Sequence, residues 1–244
     1  MSGNNELKSN NRKEDISLKQ LNRTFKRSVF VGLFSTLLTC LPTGYAETQT
    51  TPASVGTVKQ IKSGILERQD KNTIWSPISK NAAILAGDRL RTGPDGAAVL
   101  TLTNVGIVLM KSNTEYTVGS NAMNFTTVLH RGYIWIKTSL MPGAKLDISA
   151  SGAVAGVRGT RVSVLADAQG VDVCTCTGDV TVTPKNGKKL SVKTGMYGSI
   201  GKDGIAEAPK HSKQILEQLW KGEMSRFTPC RNCHQKGKKG KANI

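Results

Sequence analysis

The chain has 244 residues, of which 38% are hydrophobic and only 5% aromatic, and its formal net charge is +17. This length allows one substantial domain with tails, and the 25 glycines favour short strands joined by tight turns. The charge is concentrated, because nine basic and two acidic residues give residues 210–244 a net charge of +7. No basic patch with interleaved aromatic residues accompanies it, which argues against a nucleic-acid-binding protein.

The chain begins with the features of an export signal. Residues 28–41 form an uncharged, largely apolar run that follows three basic residues, and a small-x-small sequence ends at Ala46. The run is shorter than the roughly 20 residues that span a bilayer comfortably. We therefore predict a signal peptide over residues 1–46, a linker over residues 47–54, and a periplasmic or extracellular location.

Two other fates of this segment stay open, and each would attach the protein to a membrane. The apolar run can be retained as an N-terminal anchor, or Cys40 can be lipidated, although Thr39 stands where Gly, Ala or Ser is usual in a lipobox. Cleavage after Ala46 would instead remove Cys40. The four remaining cysteines, an even number that suits an oxidising compartment, would be Cys174, Cys176, Cys230 and Cys233.

Residues 55–205 show a β pattern throughout, with alternating or dense apolar runs separated by turn signals every 8–14 residues or so. The turn signals are Gly93-Pro94-Asp95-Gly96, Asn104-Val105-Gly106, Arg131-Gly132, Gln169-Gly170, Thr177-Gly178-Asp179 and Asn186-Gly187. Asn186-Gly187 suits a type I′ hairpin, because both residues tolerate a positive φ. The pattern predicts an all-β sandwich or roll.

Residues 206–244 have a different pattern, which predicts a short amphipathic helix followed by a disordered basic tail. Pro209 can start a helix, and an apolar face over residues 209–223 would carry Ile215, Leu216, Leu219 and Trp220. We expect this helix to cover the edge or floor of the sheet.

Three segments carry a family resemblance. They are Ala86–Gly96 (AGDRLRTGPDG), Gly132–Trp135 (GYIW) and Val154–Val164 (VAGVRGTRVSV). In this order they resemble the FecR domain, with its "GD-x-L-x-T" turn, "G-x-I-W" strand and "VRGTRFSV" strand. Val162 stands where Phe is commoner, and the resemblance covers roughly residues 55–200.

The resemblance implies an extracytoplasmic all-β module. In the best-known members this domain belongs to a membrane regulator that passes a signal from an outer-membrane receptor to a cytoplasmic sigma factor. The 27 polar residues that precede the apolar run are too few to bury the core of a sigma-binding domain. We therefore expect a non-catalytic module that binds an envelope protein or a glycan.

The FecR-like motifs also suggest particular residues. Asp88 can accept backbone N–H groups within its turn. Arg158 and Arg161, which flank Thr160, can pin a turn carboxylate such as Asp88 or Asp95, or they can contact a partner. Under the first hypothesis, reversing the charge of Arg158 unfolds the domain, and under the second it abolishes binding alone.

Near the C-terminus, Cys230-Arg231-Asn232-Cys233-His234 is a complete C-x-x-C-H sequence, which in an exported chain is the attachment signature of c-type haem. Both thiols add to the porphyrin and His234 ligates the iron, so His234 is the predicted metal ligand. The candidates for a sixth ligand are Met224, His211 and Met196. A disulfide or thiol pair and a non-haem metal site are the alternatives.

Cys174 and Cys176 alternate with Thr175, so a strand would point both thiols to one face. They are interpreted as a buried thiol pair, as a disulfide, or as groups linked to the tail by zinc or by disulfides. The sequence has no nucleophile elbow, P-loop or dinucleotide fingerprint, and its three histidines are scattered. We therefore do not expect an enzyme.

Overall fold

The computed structural model describes residues 53–69, 73–121, 123–185, 187–207 and 210–211. The chain divides into two compact units, Met1–Thr48 and Gln49–Ile244, and every described residue belongs to the second. The predicted signal peptide and most of the predicted linker therefore lie outside the described residues. Among the described residues, no helix is long and apolar enough to cross a membrane.

The described residues form 15 β-strands and no α-helix, which confirms the predicted all-β fold. The strands are β1 (Ser54–Ser63), β2 (Leu66–Gln69), β3 (Trp75–Pro77), β4 (Ala83–Leu85), β5 (Arg89–Thr92), β6 (Ala97–Leu102), β7 (Gly106–Met110), β8 (Glu115–Thr117), β9 (Asn124–Thr138), β10 (Lys145–Ala150), β11 (Ala153–Asp167), β12 (Gly170–Pro184), β13 (Leu190–Lys193), β14 (Met196–Gly201) and β15 (Lys210–His211).

One hydrogen-bonded sheet contains all these strands, and it folds over on itself because three long strands change partners midway. The first half of β9 pairs with β8 and β10, and its second half pairs with β7 and β11. The folded sheet has two layers. The first layer holds β4, β1, β6, β7, β14 and β15, and the second layer holds β2, β3, β5, β8, β10 and β13. The long strands β9, β11 and β12 run through both layers.

A glycine with positive φ lies at the bend of each long strand: Gly132 in β9, Gly159 in β11 and Gly178 in β12, with φ of 90°, 58° and 85°. The sequence predicted turns that end strands at Arg131-Gly132 and at Thr177-Gly178-Asp179, and this prediction was wrong. The strands run on through both points, because ladder pairing resumes on the far side of each glycine. Glycine tolerates the left-handed backbone that a sharp bend requires.

The main core lies between the two layers and is mostly aliphatic. Alternation places one face of each strand inward, as in β6, where Ala98, Leu100 and Leu102 are buried in this core and Thr101 is exposed. The second layer contributes Phe125, among others, from its inner face. Hydrophobic burial between the layers is therefore what closes the sandwich.

Two local predictions near the C-terminal end need correction. β12 and β13 pair as expected for a hairpin, and residues 185–189 join them. Seven residues separate the paired Val182 and Leu190, so the two-residue type I′ turn at Asn186-Gly187 is wrong, although Asn186 itself lies outside the described residues. Lys210–His211, predicted as the first turn of a helix, pairs with Met196 and Tyr197 as β15. Residues 212–223 lie outside the described residues.

Candidate functional site

The segment Gly87–Thr92 contains β5, in which buried and outward-facing side chains alternate. Asp88, Leu90 and Thr92 are buried, whereas Arg89 and Arg91 point to the outer face. The Thr92 hydroxyl donates to the Lys111 carbonyl at 2.5 Å and accepts the Thr114 N–H at 3.1 Å. The Asp, Leu and Thr that the "GD-x-L-x-T" motif specifies are therefore buried and stabilise the fold, whereas its two unspecified positions, Arg89 and Arg91, face solvent.

Asp88 is held by a different arginine from the one predicted. Its Oδ2 accepts the Leu85 N–H at 2.8 Å and lies 3.1 Å from Nε of Arg68, whose guanidinium also donates to the Ala83 carbonyl. Burial raises the pKa of Asp88 above its usual value, although the Leu85 N–H and the charge of Arg68 act in the opposite direction. The hypothesis that Arg158 or Arg161 pins this carboxylate is wrong, because Arg68 occupies that position.

The segment Arg158–Arg161 forms the bend of β11 and acts through its backbone. The Thr138 hydroxyl accepts the Thr160 N–H at 2.7 Å and donates to the Thr160 carbonyl at 2.8 Å. The Arg161 N–H donates to the Thr177 hydroxyl at 3.1 Å. Thr160 is buried, whereas Arg158 is exposed beside a groove that also contains Met141. The motif is therefore a corner of the sandwich, and Arg158 is available to a partner.

A cluster of charged side chains covers the outer face of β2, β5, β8 and β9. Cross-strand pairing aligns Glu67, Arg91, Glu115 and Arg131 in one row. Arg91 Nε lies 2.6 Å from Glu67 Oε2, and Arg131 Nε lies 3.3 Å from Glu115 Oε2, while Arg89 contacts the other oxygen of Glu115. Three arginines thus share two carboxylates, which leaves one net positive charge on this face.

Trp75 completes this face at the edge strand β3. The Arg91 guanidinium carbon lies 4.3 Å from the centre of the Trp75 ring, and that of Arg89 lies 5.9 Å away, which is cation–π distance. We call this surface the arginine–tryptophan face, and its members are Glu67, Trp75, Arg89, Arg91, Glu115 and Arg131. The Glu67 hydrogen bond raises the pKa of Arg91 further, so Arg91 stays charged. A half-exposed aromatic ring between fixed cations is typical of a protein-binding surface.

His130 lies next to this face. Its Nε2 is 2.8 Å from the Thr117 hydroxyl. Burial and the neighbouring Arg89 lower the pKa of His130, while Glu115 acts in the opposite direction. His130 also lines a shallow groove of ≈ 530 Å³ with residues 149–154 and 183–185. Over the described ranges, no group of three or more His, Cys, Asp or Glu side chains is placed to hold a metal ion.

The haem prediction falls largely outside the described residues. Cys230, Cys233, His234 and Met224 lie outside them, and the backbone of His211 pairs with Met196 across β15 and β14. Haem attachment stays a prediction.

The two strand cysteines are both buried on β12, but they are not bonded to each other. Cys174 forms a disulfide, and Cys176, the other cysteine in the described part of the chain, is not its partner. Residues two apart in a strand lie about 6.6 Å apart with parallel side chains, whereas a disulfide needs Cβ atoms about 4 Å apart. A disulfide between Cys174 and Cys176 is therefore wrong.

One segment of the chain has known relatives. It contains most of the features described above, namely the bend of β11, the turn at Asp88 and most of the arginine–tryptophan face. Residues 88–181 match the family model of the FecR protein. The FecR-like segment thus begins at Asp88 and includes Arg89, Arg91, Glu115 and Arg131 of the arginine–tryptophan face. This agrees with the resemblance found in the sequence.

Two solved structures of a candidate anti-sigma factor from Parabacteroides distasonis are similar to the chain. Both share 14% identity with it at a TM-score of 0.45, over 53% of this chain. The chain spans 63% and 64% of those two proteins, which is less than two thirds of their length. No curated protein matches the chain.

Sequence reasoning missed the arginine–tryptophan face. It singled out Asp88 in the FecR-like segment but passed over Arg89 and Arg91, although their spacing of two with Leu90 between them puts both on one face of a strand. Glu67 and Trp75 lie before the segment, and only strand pairing brings them to it. The alternation of β5 could have identified the two arginines, whereas nothing local identifies their partners.

Proposed function

We propose that this protein is a non-catalytic FecR-type module that acts in envelope signalling by binding another protein outside the cytoplasmic membrane. The observation that supports it best is the match of residues 88–181 to the FecR family, a segment that supplies four of the six residues of the arginine–tryptophan face. The export features around residues 28–46 agree with that location.

The arginine–tryptophan face is the binding surface in this proposal. Its arginines are held by ion pairs, so little side-chain entropy is lost when a partner binds them. Trp75 offers a half-buried apolar ring, and tryptophan and arginine are the residues that dominate the energetics of protein interfaces. Because Arg89 and Arg131 share the single carboxylate of Glu115, one positive charge on this face is uncompensated, and an acidic or carbonyl-rich surface on the partner suits it.

Site-specific photo-crosslinking in the producing cell tests the proposal. A photoreactive amino acid replaces Trp75 in one version of the protein and Thr101 in a control version, because Thr101 is exposed and lies on β6 in the first layer, whereas this face belongs to the second layer. We expect one discrete crosslinked partner at position 75 that Arg91→Glu abolishes, and none at position 101. Equal crosslinking at both positions, or crosslinking that Arg91→Glu leaves unchanged, would contradict the proposal.

A further inference from the structure

The first layer of the sandwich has a second apolar surface on its outer side. Cross-strand pairing aligns one row of residues across six strands: Val99, Leu109, Trp135, Ser163, Cys174 and Tyr197. Side chains in one row point to the same face. We call this row the outer strip. It lies opposite the main core, because Leu100 and Val108, which alternate with its members, face inward.

The outer strip is buried, although it lies on the outside of the sandwich. Trp135 is 1% exposed, Val99 0% and Leu109 4%. They form a hydrophobic cluster separate from the main core, joined by Tyr133, Leu165 and Cys176. Every apolar member of this cluster comes from neighbouring strands of the first layer, so among the described residues no element contributes a hydrophobic side chain from above.

Two polar groups in the strip are also buried without a described partner. The indole N–H of Trp135 and the hydroxyl of Ser163 make no hydrogen bond within the described ranges, although both side chains are at most 2% exposed. A buried polar group without a partner costs free energy. Both groups therefore point to a covering segment that brings apolar side chains and hydrogen-bond acceptors.

The disulfide of Cys174 shows where that segment is anchored. Its partner lies outside the described residues, which leaves Cys40, Cys230 and Cys233 as the candidates. The chain leaves the described region after His211 in β15, two strands from Cys174, or about 10 Å. It enters that region at β1, five strands from β12 on the other side, or about 24 Å. The C-terminal segment therefore begins much closer to Cys174.

We propose that residues 212–233 cover the outer strip, and that a disulfide from Cys174 to Cys230 or Cys233 holds them there. The apolar residues of this segment, Ile215, Leu216, Leu219 and Trp220, supply the missing contacts. As a helix, residues 212–223 span about 18 Å, which crosses most of the strip. Residues 224–229, extended over about 20 Å, bring the chain back to Cys174.

The proposal has a chemical consequence for the C-x-x-C-H sequence. Forming the disulfide removes one proton and one electron from each of the two thiols, and a second disulfide in the same compartment accepts them by thiol–disulfide exchange. One of the two cysteines is then no longer available for a thioether. A haem attached through both thiols is incompatible with this state. The motif instead provides the covalent attachment of the C-terminal segment to Cys174, and we call this disulfide the clasp.

Peptide mapping of the full-length exported protein, blocked with an alkylating agent and digested without reductant, tests the clasp. Trypsin cleaves after Arg231 and therefore separates Phe227–Arg231, with Cys230, from Asn232–Lys236, with Cys233. We expect one of these peptides linked to Val162–Lys185 in the monomer. Cys174→Ser should abolish the link, and Cys176→Ser, the matched control, should retain it.

Fluorescence quenching tests the cover independently. In the full chain with Trp75→Phe and Trp220→Phe, Trp135 is the single tryptophan, and we expect acrylamide to quench it weakly. Leu216→Asp should raise quenching severalfold after reduction, whereas Gln214→Asp, on the opposite face of the predicted helix, should not. Circular dichroism of each variant checks that the β-fold persists.

Four results would overturn the proposal, and none depends on the partner-binding face. They are a link from Cys174 to Cys40, a link between two copies of the chain, an alkylated Cys174 thiol in the exported protein, and a mass increase of one haem on the C-terminal peptides. Failure of the photo-crosslinking at position 75 would leave the clasp intact, so the two proposals fail separately.

Discussion

A methyl group placed on Gly178 would lie 2.5 Å from Cγ2 of Thr160, across the ladder that joins β12 to β11. Gly178 has a φ of 85°. Gly159, on the facing strand, has a φ of 58°, but a methyl group placed there would meet no described atom within 4 Å. Both positions therefore have a left-handed backbone that favours glycine, and only at Gly178 would an added methyl group also clash with a neighbouring side chain.

We expect Gly178→Ala to destabilise the fold by about 3 kcal/mol and Gly159→Ala by about 1 kcal/mol, because left-handed strain alone costs about 1–2 kcal/mol. Thr160→Ser removes the clashing methyl, so it should recover about 1 kcal/mol when combined with Gly178→Ala. Urea denaturation of the four proteins measures these differences. Equal losses for the two glycine variants would mean that the close approach to Thr160 does not matter.

Asp88 makes stability depend on pH in an unusual direction for a carboxylate. Its pKa in the folded state is raised by burial, so the folded protein binds this proton more tightly than the unfolded chain does. The favourable contribution is therefore complete below the unfolded pKa and is lost as the pH rises through the folded pKa. Relative to Asp88→Asn, the wild type should lose stability as the pH rises from below to above the usual aspartate pKa of about 4.

Thermal melts of the wild type and Asp88→Asn across that range check this prediction. The difference in Tm should move by a few degrees in favour of the variant as the pH rises. A shift in favour of the wild type would show that the ion pair with Arg68, 3.1 Å away, outweighs burial.

His130, which lies next to the arginine–tryptophan face, should also make stability depend on pH. Its pKa is lowered by burial and by Arg89, so the folded state prefers the neutral ring. Its contribution is complete above the unfolded pKa, near 6.5, and is lost as the pH falls below that value and through the lower pKa of the folded state. The wild type should therefore lose more Tm than His130→Gln between pH 7.5 and pH 5.5, about the range where histidine titrates. Parallel losses in both proteins would assign the effect to other groups.

Arg91 and Arg158 give a matched pair for binding. Both are surface arginines, but Arg91 lies 4.3 Å from the Trp75 ring and Arg158 lies at the bend of β11. We expect Arg91→Ala to weaken partner binding at least tenfold with a change in stability within about 0.5 kcal/mol, since exposed ion pairs contribute little. Arg158→Ala should leave binding unchanged. Titration of the crosslinked partner with both variants measures the affinities, and the reverse pattern would move the interface to the bend.

The sequence predicted the class of fold well because period-two alternation is a local signal. It predicted β-structure over residues 55–205, and it identified the turns at Gly93–Gly96 and at Gln169-Gly170. It failed at Gly132 and Gly178, because a glycine that bends a strand and one that ends a strand look alike until the pairing on the far side is known. For the same reason it could not match Asp88 with Arg68, since two strands must pair before these residues meet.

The three bends also matter for the signalling role proposed above. Because β9, β11 and β12 each belong to both layers, neither layer can slide or tilt against the other without breaking ladder hydrogen bonds on both sides of a glycine. A partner bound at one layer is therefore connected through continuous strands to the other layer. In the proposed role, this connection favours a change in the position or the attachments of the whole domain over a rearrangement inside it.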